Sequence, residues 1–253
     1  MSKAKLRILL AGESWMTYGI HIKGFASYST GAYEIGMQPL RDALVSMGHE
    51  FVYIPNHEAT ETFPKTLDEL KKYDVVIFSD LPADTLLLHN DTFVLGRKSP
   101  NRLKLIVEYV QAGGGFLMVG GYMSFSGYQA KAGYHFSPLT QVLPVGLHGI
   151  DDRIEAPEGV VPEMTRPEHP VLNGIPKSWP FFLGYNKLKP GDGEILMTCQ
   201  GDPFLAVRQL GEGRAAAFAS DCSPHWAPTD FTTWEFYPRF WDQLVAWLAN
   251  KAA

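Results

Sequence analysis

The sequence predicts an α/β fold, a doubly wound, mainly parallel sheet with helices on both faces, to which an elaborated loop and β region is added. Three observations predict it. Short apolar runs alternate with stretches of helical periodicity along the first half of the chain, most runs end in Gly, Pro or a small polar residue, and one region from about 126 to 190 has no regular period.

Leu6 to Ala11 is an apolar run closed by Gly12, as suits a strand buried on both faces of a parallel sheet. From Ala32 to Met47 the apolar positions Ile35, Leu40, Ala43, Leu44 and Met47 recur at helical spacing, with Gly48 as the stop. Phe51 to Ile54 reads as the second strand, Thr66 to Tyr73 as a short helix, and Asp74 to Ser79 as the third strand, β-branched at its centre. A helix over Asn101 to Gln111 stops at Gly113-Gly114-Gly115, and Phe116 to Val119 forms the fourth strand, running into Gly120-Gly121-Tyr122. Beyond the irregular region, Glu194 to Thr198, Phe204 to Gln209 and Arg214 to Ser220 read as strands, the last two as a hairpin, and Phe236 to Ala249 as an aromatic-rich closing helix. The whole of 1–253 reads as one domain with an irregular insertion at about 126–190. Right-handed crossovers then place the ligand crevice beyond the carboxyl ends of the strands.

Composition narrows the function. A formal charge of −5 and a pI near 5.9 give no general attraction to nucleic acid or anionic lipid. No apolar stretch reaches the roughly 18 residues of a membrane span, and the start of the chain lacks a secretion signal, so no membrane partner is expected. Two cysteines, Cys199 and Cys222, are too few for a disulfide framework, which fits a reducing cytoplasm. The eight histidines form no HxH or HExxH pair, and neither a metal nor a cofactor is expected; a metal held by His21, His57 and His225 would need the fold to assemble it.

Three loops carry candidate chemistry. After the first strand, Gly12-Glu13-Ser14 is followed by His21 and Lys23, and Glu13 and His21 are the crevice candidates there. The turn after the fourth strand has the backbone context of a nucleophile elbow, with Gly120, Gly121 and Tyr122 at the turn and Ser124 and Ser126 close by. The third loop is Asp221-Cys222-Ser223-Pro224-His225-Trp226, where a carboxylate, a thiol and an imidazole lie within five residues. A base needs hydrogen-bond reach of its target, which spacing alone does not establish. Ser124 has the competing role of satisfying loop backbone, Cys222 that of packing beside Trp226.

The phrases GESW, HIKGF, PNHEA, YDVVIFSD, GGGFLMVGGYMSFSG and HWAP, with the order of elements around them, resemble the class I glutamine amidotransferase-like superfamily, and more closely its members of unassigned activity. The resemblance covers about residues 6–127 and 204–249 and implies a flavodoxin-like fold. In the family's amidotransferases an elbow cysteine attacks the glutamine amide and a later histidine, oriented by an acid, activates it. The elbow position falls here at Gly121 or Tyr122, neither of which forms a thioester. His225 stands where the later histidine would be, followed by Trp226 and Ala227 instead of Pro-Glu. The resemblance therefore implies the crevice and withholds the glutaminase.

The sequence points to a small polar metabolite as ligand, with His225, Tyr122, Glu13 and Ser124 as catalytic candidates and His21, Gly120, Gly121 and Asp221 as ligand-binding ones. Two alternatives stand beside it. One is a non-catalytic assembly module, a homo-oligomer whose interface is the aromatic Trp234 to Trp247 segment with the Pro-rich middle. The other is a thiol hydrolase using Cys222 and His225, which requires an exposed sulfur.

Overall fold

The computed structural model describes residues 4–251. In chain order it comprises β1 (Arg7–Gly12), β2 (Ser14–Lys23), β3 (Ala26–Ile35), α1 (Gln38–Ser46), β4 (Glu50–Ile54), α2 (Asn56–Thr62), α3 (Leu67–Leu70), β5 (Val75–Ser79), α4 (Ala83–Leu87), α5 (Asn90–Phe93), α6 (Arg102–Gln111) and β6 (Gly115–Val119). The region after β6 holds four short 3-10 turns, with β7 (Val145–Gly146), β8 (Arg153–Val160), β9 (Glu163–Met164), β10 (Phe182–Asn186) and β11 (Lys189–Pro190) among them. The chain closes with β12 (Glu194–Cys199), β13 (Asp202–Leu210), β14 (Gly213–Phe218), α7 (Thr229–Thr232) and α8 (Tyr237–Leu248).

Eight strands form one sheet in the order β4-β1-β5-β6-β14-β13-β12-β9. The five strands from β4 to β14 run parallel and the rest antiparallel. The parallel strands β5 and β6 are buried along their whole length, which is why their sequences are continuous apolar runs. From β1 the chain goes outward to β4 and then returns past β1 to β5. The strand order therefore reverses between the carboxyl ends of β1 and β5, where an open α/β sheet leaves its ligand crevice. Among the described residues no helix is long and apolar enough to cross a membrane.

Packing explains the helices. α6 starts at Asn101, whose side chain accepts from the Leu103 and Lys104 amides. Its buried Arg102 donates to the carbonyls of Ala59, Thr60, Thr85 and Leu86, tying α2 and α4 to α6. In α8, Phe240, Trp241, Leu244, Val245 and Leu248 are fully buried, while Trp234 and Trp247 pack partly buried against the core. The aromatic segment expected as an assembly surface is thus spent inside the molecule.

Two regions depart from expectation. The helix expected over 32–47 begins only at Gln38, because residues 14–35 form a two-stranded antiparallel ribbon, β2 with β3. Its signal was in the sequence: Met16, Tyr18, Ile20 and Ile22 alternate with period two up to Gly24, a residue in the left-handed region at φ +59. The 126–190 region is irregular as expected, yet β8 pairs with β10, and Val160, Phe182, Tyr185 and Asn186 are buried. It is packed against the parallel strands' carboxyl ends through Asn186, whose amide nitrogen donates to the Ala219 carbonyl at 2.8 Å.

Candidate functional site

The site is built where β1 and β5 end side by side. Glu13 and Asp80, the residues just beyond these strand ends, adopt left-handed backbone at φ +49 and +48, and Gly12 between strand and turn has φ +113. Non-glycine residues hold such conformations only when the surroundings compel them, and functional turns collect them. Here the compulsion is visible: the Glu13 amide donates to the Ser79 carbonyl at 2.7 Å, and the Gly36 amide donates to the Glu13 carbonyl at 2.9 Å. Asn56 joins both turns, its side-chain amide donating to the carbonyls of Ser14 at 2.7 Å and Asp80 at 2.9 Å.

These turns drive the Glu13 side chain inward. Its carboxylate accepts from the Ser223 hydroxyl at 2.7 Å and from the Ser79 hydroxyl, and the residue is buried. Burial, reinforced by the nearby charge of Asp80, raises its pKa from 4.5 to about 7, which the two hydroxyls only partly oppose. Asp221, also buried, accepts from the Ser223 amide at 3.2 Å, and burial followed by the charges of Glu13 and Asp80 pushes its carboxyl well above the usual range.

Asp80 lies half-buried between this interior and the surface. Its carboxylate accepts from the Met123 amide at 2.5 Å, and its own amide donates to the Ser124 hydroxyl at 3.1 Å. Burial raises its pKa, opposed by the Met123 amide and by His225. A side chain at Gly121 would start 2.8 Å from Asp80 Oδ1, and Gly121 has φ +147. The elbow favours glycine because of its backbone at φ +147, and a side chain there would crowd the carboxylate of Asp80.

A buried polar staple holds the elbow. Asn186 accepts from the Gly121 amide at 2.9 Å and donates to the Gly121 carbonyl at 3.2 Å and to Asp152 at 2.9 Å; Asp152 in turn accepts from the amides of Ser126 and Gly127. The Gly120 amide is shared between the Phe218 and Ser220 carbonyls. Outside the elbow, Tyr122 donates its hydroxyl to Glu155 at 2.7 Å, its ring meets the exposed His225 edge-on at 4.6 Å, and the Arg153 guanidinium lies 4.5 Å from its centre. Trp226 donates its indole N–H to the same Glu155 at 3.1 Å. Burial and Glu155 raise the Tyr122 pKa, so this phenol stays a proton donor.

Of the candidates, Glu13, Gly120, Gly121, Tyr122, Ser124, Asp221 and His225 stand on the loops at the carboxyl ends of β1, β6 and β14. His21 does not. It sits on the ribbon, seven residues and about 23 Å of extended chain from Ser14, stacked on Tyr28 at 4.7 Å and bonded to Thr30. Ser124 spends its hydroxyl on the Asp80 backbone. Cys222 fails the requirement of a thiol hydrolase: it is fully buried, and burial with the Glu13 and Asp221 charges pushes its thiol pKa up, which disfavours the nucleophilic thiolate. Glu13, Asp221 and Cys222 do offer ligand atoms within 4.8 Å of one another, and these are the described residues that could hold a metal ion, though all three are closed to solvent. The residues missed were Asp80, Ser79, Asn56, Asp152 and Asn186. Asp80 had a signal, being the acidic residue that ends the strand VVIFSD; Asn186 and Asp152, inside the irregular region, had none.

Comparison with known proteins shows the family and the fold. A family model described as "Putative glutamine amidotransferase" matches residues 7–250. The chain is similar to the cytoplasmic protein STM3548 from Salmonella typhimurium, with 43% identity, a TM-score of 0.93 and coverage of 96% of this chain and 99% of that one. It is also similar to the cytoplasmic protein STM1381 from Salmonella typhimurium LT2, with 40% identity, a TM-score of 0.92 and the same coverage. A thua-like protein from Parabacteroides merdae shares the fold at 14% identity and a TM-score of 0.56, covering 99% of this chain and 92% of that one. No curated protein matches the chain.

Proposed function

We propose that this chain, which belongs to the class I glutamine amidotransferase-like family, is a cytoplasmic protein that binds a small polar metabolite at the elbow and transforms it by carboxyl acid–base chemistry, without hydrolysing glutamine. The observation that carries this reading is the carboxylate of Asp80 standing 2.8 Å from the place of a side chain at Gly121. The position of a covalent nucleophile is given over to a general acid or base. Asp80 is the half-buried carboxyl group beside the elbow glycine, with the exposed Glu155 on the far side of Tyr122, and His225 opposes the rise in the Asp80 pKa. Glu13, with a pKa of about 7, keeps a proton in the interior that balances the charge on Asp80 and moves under the same conditions. A raised pKa at Asp80, the carboxyl nearer the surface, suits a group that both takes and gives a proton. The Tyr122 hydroxyl and Arg153, held by Glu155 and Asp151, would exchange those bonds for the ligand's polar groups.

The test is a thermal-shift screen of amino acids, sugars, organic acids and divalent cations against the wild type, Asp80→Asn, Tyr122→Phe and His225→Ala. A ligand at one hundred times its Kd adds about 2.7 kcal/mol to stability, on the order of 5–10 °C for a chain of this size. The expected result is a polar metabolite that raises the wild-type melting temperature and loses its effect in Asp80→Asn, with no ammonia released from glutamine. A ligand shift that survives all three substitutions, or glutamine-dependent ammonia release, overturns the reading.

A further inference from the structure

We infer that the β2–β3 ribbon is a dimerisation arm whose uncharged face packs against the same face of a second copy of this chain. The ribbon has ten residues in each strand, about 30 Å of length, and among the described residues pairs only with itself. An isolated two-stranded hairpin is marginally stable in water and gains stability from a surface that covers one face.

The register divides the ribbon's residues between two faces. One carries Trp15, Thr17, His21 and Lys23 from β2 with Tyr28, Thr30 and Glu34 from β3, and is satisfied on its own: Thr17 donates to Glu34 at 3.1 Å, and His21 stacks on Tyr28 and bonds to Thr30. The other carries Met16, Tyr18, Ile20 and Ile22 from β2 and Ser27, Ser29, Gly31, Tyr33 and Ile35 from β3, with no charge at all. Tyr18, Ile20 and Ile22 are 74–75% exposed and Phe25, in the turn at the tip, is fully exposed. Near the root the same face leans on the body, where Tyr33 bonds to His57 of α2 at 2.9 Å. Beyond it the face continues into solvent.

Two features select a second copy as the occupant. The first is shape. Along the outer half, large side chains on β2 (Tyr18, Ile20, Ile22) run beside a column of small ones on β3 (Gly31, Ser29, Ser27), so a twofold axis along paired ribbons sets each large column over the partner's small one. Self-complementarity of one patch is what an isologous dimer requires. The second is area. The exposed parts of Met16, Tyr18, Ile20, Ile22, Tyr33, Ile35 and Phe25 amount to on the order of 800 Å² at about 150–200 Å² for a full side chain of that size, which matches the roughly 800 Å² per partner of a stable interface. A face without charge has nothing to offer an anionic membrane or an acidic or basic peptide.

Analytical ultracentrifugation of the full chain between about 1 and 100 µM tests the inference. The wild type should sediment as a dimer, Ile20→Glu and Ser29→Glu should each raise the dissociation constant at least about tenfold by burying an unpaired charge, and Thr17→Glu on the opposite face should remain dimeric. All these positions are exposed, and far-UV circular dichroism identifies any variant that fails to fold; a second pair, Ile22→Lys and Ser27→Lys, replaces it. A wild type that is monomeric throughout, or Ile20→Glu and Ser29→Glu proteins as dimeric as the wild type, overturns it. The crevice reading is untouched by either result, since ligand shifts are read separately.

Discussion

Glu13 and Ile20 stand seven residues apart on one continuous stretch, and the fold treats them in opposite ways: the carboxylate is 2% exposed and the isoleucine 74%. Ordinary folding would reverse both. At Glu13 the chain bears the cost of burying a carboxyl, limited by two hydroxyl donors and by holding its proton up to about pH 7. At Ile20 it leaves apolar surface in water that some other surface must cover. The two inversions teach that local violations of the burial rule have to be read by sign, an interior charge as chemistry and an exterior apolar face as contact.

The sharpest way to break the crevice half of the comparison is Asn186→Ala. It removes the donor and acceptor that fix both backbone groups of Gly121 and leaves Asp152 short of a donor. A loss of about 2–4 kcal/mol in urea unfolding is expected, and a loss below about 1 kcal/mol would mean that the elbow stands without its staple. Next comes Glu13→Gln, read against pH. A carboxyl group whose pKa is raised on folding stabilises the native state while both states are protonated, below about 4.5, and that contribution is lost as pH climbs toward 7. Wild-type stability should therefore fall by about 3 kcal/mol between pH 4.5 and pH 8 from this group alone. The raised pKa of Asp80 acts in the same direction. Glu13→Gln, which keeps partners for Ser79 and Ser223, should flatten the profile and be the more stable protein at pH 8.

Smaller effects follow. Native Cys222 should resist iodoacetamide while the urea-unfolded chain reacts, and Cys222→Ser should cost about 1–2 kcal/mol through the buried hydroxyl without abolishing any ligand shift. On the ribbon, Ile22→Ser should change the stability of the separated monomer by no more than about 0.5 kcal/mol, measured at protein concentrations where copies dissociate. A larger loss would place Ile22 against the body of its own chain.

The parallel half of the sheet was legible because fully buried strands such as Val75–Ser79 and Gly115–Val119 write their burial as continuous apolar runs, and the glycines after β6 marked the elbow. Glu13, Tyr122 and His225 were read from strand-end loops, and the structure sets them at the carboxyl ends of β1, β6 and β14. The ribbon was not recognised, although its alternation was present, because its apolar positions merge without a break into the helical spacing of α1 and Gly24 was the one mark of a turn. His21 was misplaced as a consequence. Asn186 and Asp152 could not be read at all: nothing local distinguishes an asparagine in a two-stranded segment from any other, and only the approach of β10 to the elbow gives it three partners. Asp80 was passed over as the end of a strand, and its meaning depends on Gly121 from another strand.

The central claim is that the carboxylate of Asp80 stands in the nucleophile's place, coupled to a buried Glu13 whose pKa is raised to about 7, and titration of Glu13 tests that coupling most directly. In protein labelled with ¹³C at glutamate side-chain carboxyls, the resonance assigned by its loss in Glu13→Gln should move with a midpoint near pH 7, and the midpoint should fall in Asp80→Asn as the neighbouring charge is removed. A midpoint near 4.5, unchanged in Asp80→Asn, would contradict the account.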